Sequence, residues 1–146
     1  MNQLLDRCLE VAEMETTTHK SAVGRLDRHV GPVLGGVSVS RLDAEMLESL
    51  YAELRRCRDR CGGRRQAGHT CRPLAPATIW LIHANLSAAL NSAVRWRWLA
   101  VNPAAQAAKP TVPKSDPQAP SGSEAARIVV EAWKEPDWAC WSGWPW

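Results

Sequence analysis

The chain has 146 residues, of which 45% are hydrophobic and 23% charged, with a formal net charge of +3 and a pI near 8.7. That length holds one modest domain with tails and excludes a second domain of equal size. No apolar run approaches the ~20 residues needed to cross a bilayer and no leader with a cleavage site is evident, so a cytoplasmic protein with no membrane partner is expected.

A first helix is predicted over Asn2 to Glu15, where Leu4, Leu5, Cys8, Leu9 and Ala12 recur at helical spacing. Thr16, Thr17 and Thr18 end it and offer an N-cap to a second helix, His19 to about Leu34, whose apolar stripe is Ala22, Val23, Leu26, Val30 and Val33. Beside that stripe runs a polar strip with Ser21, Arg25, Arg28 and His29, and Gly35 and Gly36 stop the helix. Val37 to Leu42 reads as an extended connection. Asp43 then caps a third helix with Leu47, Leu50, Tyr51, Leu54 and Cys57 facing inward.

A polar loop rich in Arg and Gly, Arg58 to Arg72, leads to a fourth helix, Ala77 to Leu99, with Pro76 suited to its first turn. Ile79, Ile82, Leu86, Ala89, Leu90 and Ala93 form its buried stripe; Trp80, Ala84, Ser87, Asn91 and Arg95 lie opposite, and His83 borders the stripe. Asn102 and Pro103 close that helix. Pro110, Pro113, Pro117 and Pro120 then punctuate a segment of Lys, Ser, Asp and Gln that cannot collapse into a core, so Lys109 to Gly122 is expected to be an extended linker. Ser123 to Trp133 starts a fresh amphipathic helix of about three turns, too short to stand alone.

The five cysteines, Cys8, Cys57, Cys61, Cys71 and Cys140, are an odd number in a chain with no export signal, which favours free thiols or metal ligation over a disulfide framework. Cys57, Cys61, His69 and Cys71 are zinc-type donors, but a three-residue gap followed by His-x-Cys matches no standard spacing, and Cys57 also completes the stripe of the third helix. A small zinc-binding regulatory module is therefore kept as an alternative function.

Leu74-Ala75-Pro76-Ala77-Thr78-Ile79, then Ala93-Val94-Arg95-Trp96, then Val101-Asn102-Pro103-Ala104 complete the ordered series of helices. That series resembles the N-terminal core-binding domain of tyrosine recombinases, the phage integrase family, and especially its actinobacterial members. The resemblance spans roughly Asn2 to Trp138. It implies an all-α fold, a small four-helix SAM-like bundle that lies against one face of a duplex and is followed by a Pro-rich linker and a stub of one further helix. In those terms residues 1–106 are the core-binding domain, 107–122 the linker, 123–138 the first helix of a catalytic domain and 139–146 a Trp-rich tail. Cys8 and Ala22 depart from the family, which usually has large aromatics there, and Gly31 sits inside the predicted second helix.

The implied function is DNA binding, in DNA integration and recombination, without catalysis. The Tyr nucleophile of the family and its Arg, His and Lys partners would fall beyond Trp146, and Tyr51, the only Tyr, has the spacing of a core residue. Double-stranded DNA of the attachment-site type is the expected partner. Helix ends and cations would meet phosphate through Thr17, Thr18, Lys20, Arg25 and Arg28 on the second helix and Thr78, Ser87, Asn91 and Arg95 on the fourth. The backbone N–H groups near Thr78 would join them. No cofactor is expected and no metal ligand is assigned. Full-length integrase is a further expected partner, in which case the chain acts as a dominant-negative fragment. Four of the eight Trp fall in the last nine residues, a run costly to expose. A one-base slip of the reading frame before Ala139 would produce it from an apolar helix; the rival origin is a Trp-rich anchor for a partner.

Overall fold

The computed structural model describes residues 1–61, 69–114 and 116–134, and divides into two units, Met1–Pro113 and Lys114–Trp146. Among the described residues every regular element is helical, and no helix is long and apolar enough to cross a membrane.

Helix α1 (Asn2–Val11) buries Leu4 and Leu5 and half-buries Cys8 and Leu9. It stops four residues before the predicted Glu15, because Ala12 is extended and Glu15 is itself the N-cap of α2 (Thr16–His29). The Glu15 carboxylate accepts the Thr17 N–H at 3.4 Å and also the Thr17 hydroxyl, so α2 starts at Thr16, three residues before the predicted His19. The predicted second helix is broken in two: α3 (Gly31–Leu34) begins anew after Val30. Pro32 is the cause, since it has no N–H for an interior helical bond and is at home in a first turn. The restart resets the phase of the stripe. Leu34 is buried, while Val33, expected to be buried, is 40% exposed.

The segment expected to be extended carries a short 3-10 turn, Val39–Arg41. At Gly35 an added Cβ would collide with the Gly31 carbonyl and the Asn2 side chain, which is why the start of α1 can close on the end of α3, with Asn2 N–H donating to Gly35 O at 3.2 Å. Asp43 caps α4 (Ala44–Arg56) by accepting the Met46 N–H at 2.8 Å. Leu47, Leu50, Tyr51 and Leu54 are buried on its inner face.

Helix α5 (Pro76–Arg95) is the centre of the unit and packs against α1, α2 and α4. Ile79, Ile82, Leu86, Ala89, Leu90 and Ala93 join the α4 leucines and Leu4, Leu5 and Leu26 in one apolar cluster. The helix ends at Arg95, short of the predicted Leu99, in a turn where Arg97 adopts φ 62, Trp98 N–H donates to Ala93 O at 2.8 Å and Arg97 N–H to Val94 O at 3.0 Å. Asn102 does more than close α5. It caps the short α6 (Pro103–Gln106), accepting the Ala104 N–H at 2.8 Å, and its amide nitrogen donates to Ser87 O at 3.1 Å and to Asn91 Oδ1 at 2.7 Å.

In the second unit α7 (Gly122–Ala132) opens with a capping box, Ser121 and Glu124 satisfying each other's backbone N–H, and buries none of its residues. The described residues between α6 and α7 form no regular element. Residues 62–68 of the polar loop and 135–146, with the tail and the end of the predicted stub, lie outside the described residues.

Candidate nucleic-acid interface

On α2 the expected contacts divide. Thr18, Lys20 and Arg28 are exposed, and Arg25 is half-buried with an Nε that meets no acceptor among the described residues. Thr17 is exposed, yet its hydroxyl and N–H already serve the Glu15 carboxylate, so an acid rather than a phosphate occupies that helix N-terminus. His29, read as part of the polar strip, is buried at 7% exposure. Its burial, with Arg60 and Arg28 close by, holds the imidazole below its ordinary range.

On α5 the side chains of Ser87, Asn91 and Arg95 recur every fourth residue along one face. Asn91 and Ser87 are also bound to Asn102, so they brace the α5–α6 junction as well as facing outward. The Arg95 guanidinium donates to Ser92 Oγ at 2.8 Å. The N-terminus of α5 offers less to an anion than predicted. Pro76 has no N–H, and Thr78 and Ile79 donate theirs to Ala75 O at 2.9 and 3.1 Å. Trp80 is 37% exposed, with Lys109 Nζ 5.7 Å from its ring centre. His83 is buried, and its Nδ1 shares a hydrogen bond with the Tyr51 hydroxyl at 3.1 Å, which fixes Tyr51 as a core residue at 1% exposure.

A further group of cations lies in the loop that the sequence marks as polar and rich in Arg and Gly. Arg60, with φ 51, turns the chain back after α4, and its guanidinium donates to Arg28 O and His29 O, both at 3.4 Å. A cation at the last carbonyls of α2 is favoured by the helix dipole. Arg58 N–H donates to Arg72 O at 2.8 Å, which brings the two ends of the loop together. Arg58, Arg72 and Arg28 are exposed around this junction, with Asp59 as an acidic neighbour. Lone arginines in a loop carry no periodicity, so only their clustering in the Arg58 to Arg72 segment hinted at the patch.

Beside the patch, one ligand atom from each of Cys57, Cys61, His69 and Cys71 lies within 4.8 Å of all the others. Cys57 Sγ is 3.3 Å from His69 Nε2, and Cys61 Sγ is 3.2 Å from Cys71 Sγ. Burial pushes the Cys57 thiol up, but N–H groups of Cys61 and Asp59 and the His69 ring outweigh it and bring the thiol down to about 6. The neighbouring Cys61 sulfur, with burial, raises Cys71 to about 11.

No family model matches the chain, and no curated protein or solved structure matches it either.

Proposed function

We propose that the unit Met1–Pro113 is a DNA-binding domain of the tyrosine recombinase type, a four-helix SAM-like core-binding bundle that grips double-stranded attachment-site DNA and does not cut it. The observation that carries this reading is the junction at which Arg60 ties the α4–α5 loop to the C-terminus of α2, gathering Arg28, Arg58 and Arg72 on one exposed surface. Within that unit the described residues form one salt bridge, Arg7 to Glu10, so those guanidinium groups are not neutralised by paired carboxylates. Unpaired cations beside a helix end suit the phosphate backbone, where binding is driven by counterion release. Lys20 on α2 and Arg95 at the end of α5 are further exposed cations of the same unit.

Fluorescence anisotropy with a labelled duplex at increasing salt tests this. A dissociation constant of about 10⁻⁴ to 10⁻⁶ M near physiological salt is expected, with a log–log slope close to minus the number of phosphates neutralised. Joint replacement Arg28→Ala and Arg58→Ala should flatten that slope by about two. An unchanged slope, or no complex at low ionic strength from a folded sample, overturns the reading.

A second reading, association with an intact integrase, is favoured by Ile128, Val129 and Val130 of α7 and Trp133 just after it, which are between 52% and 62% exposed. Co-purification with an intact relative, lost on Val129→Asp, would support it over DNA binding alone.

A further inference from the structure

Four donors of one chemical type converge at the end of α4. We propose that Cys57, Cys61, His69 and Cys71 bind a structural Zn²⁺ ion that fastens the α4–α5 connection to the helical body. This goes beyond the DNA-binding reading and stands or falls without it.

The donor set is three sulfurs and one imidazole nitrogen, a combination that suits tetrahedral zinc and is too soft for magnesium or calcium. A tetrahedron with arms of about 2.3 Å to sulfur and 2.0 Å to nitrogen has edges of roughly 3.5 to 3.8 Å. The two pairs at 3.2 and 3.3 Å and the outer limit of 4.8 Å bracket that value, so small side-chain rotations bring all four donors onto one centre. With every position filled by protein, no open site is left for water or substrate, which makes the role structural.

The backbone already holds the donors for it. Cys57 is the C-cap of α4, is 3% exposed, and donates its N–H to Glu53 O at 2.8 Å. Arg60, in the left-handed region, turns the chain so that Cys61 comes back towards Cys71. On the returning segment Leu74 N–H donates to Leu54 O at 2.9 Å, and the Arg58 to Arg72 bond at 2.8 Å closes the pair. His69 and Cys71, two residues apart, are carried by that returning segment. A disulfide is the rival use of Cys61 and Cys71, but their sulfurs are 3.2 Å apart against a bond length of about 2.05 Å, and it would leave Cys57 and His69 without a function.

The test uses the full chain purified under reducing conditions. Native mass spectrometry should find one zinc per chain, and Co²⁺ exchanged into the protein should give tetrahedral d–d bands with thiolate charge-transfer absorption. Cys71→Ser, at an exposed position chosen because Cys57→Ser endangers folding, should weaken binding by about a hundredfold or more, whereas Cys140→Ser should leave it unchanged. A chelator should lower the thermal midpoint of the parent chain and not that of Cys71→Ser. Sub-stoichiometric zinc, an octahedral cobalt spectrum, a Cys61–Cys71 disulfide persisting under reduction, or full binding by folded Cys71→Ser would each overturn the proposal.

Discussion

Cys8 lies on α1 where that helix faces α5, with its thiol 3.7 Å from Ala89 O, and beside it is a cavity of about 150 Å³ lined by Leu5, Leu9, Leu26 and Ala89 among others. A larger apolar side chain is wanted there. Cys8→Leu adds apolar volume that the cavity can accept, and at about 0.8 kcal/mol per buried methylene it should stabilise the chain by about 1–2 kcal/mol. Urea unfolding would show this as a higher midpoint at unchanged slope; a lower midpoint would mean that the α1–α5 gap cannot take the branch. His83 poses a different question, because burial and then Lys109 hold its imidazole below the ordinary value of 6.5. The folded protein therefore keeps His83 neutral while the unfolded chain takes up a proton, so its contribution is complete above about pH 6.5 and is lost as pH falls through the folded value. His29, depressed by burial and by Arg60, adds to the loss in the same direction. Urea midpoints measured between about pH 7.5 and 5 should fall. In His83→Gln the fall should be shallower, with the His29 share remaining.

At the scale of elements, the apolar stripes of α1, α4 and α5 were legible from spacing alone, since Leu4, Leu47, Leu50, Leu54, Ile82, Leu86 and Leu90 are all buried. The ends were less legible, and for definite reasons. Glu15 caps α2 with a carboxylate, which the stronger Thr signal masked. Gly31-Pro32 reads as an irregularity inside one helix, but a missing N–H converts it into a second helix start and turns Leu34 inward in place of Val33. The end of α5 was hidden because its turn uses Arg97 at φ 62, a position where Gly is the usual signal. That choice costs stability, as a side chain in the left-handed region is strained. Arg97→Gly removes the strain but loosens the unfolded chain, so the net gain should be about 0.5–1 kcal/mol, read as a higher thermal midpoint. A loss instead would show that the Arg97 side chain makes a compensating interaction.

For the whole molecule, the candidate site was only half legible. The donors Cys57, Cys61, His69 and Cys71 and the cations of α2 can be counted in the sequence, but their convergence cannot. It depends on one left-handed residue, Arg60, reaching carbonyls 31 and 32 positions earlier. Two units are found, Met1–Pro113 and Lys114–Trp146, and Pro110, inside the segment expected to be an extended linker, is buried. Among the described residues the apolar cluster is made by residues of Met1–Pro113, running from Met1 to Ala107. Helix α7, at 11 residues, buries none of them and is below the ~12–15 at which isolated helices become stable in water. A chain ending at Pro113 should therefore unfold cooperatively with a thermal midpoint within about 2 °C of the full protein, while a peptide of residues 114–134 should show little helix by circular dichroism. A truncated chain that melts without a cooperative transition would mean that the second unit supplies part of the core, and the boundary at Pro113 would have to move.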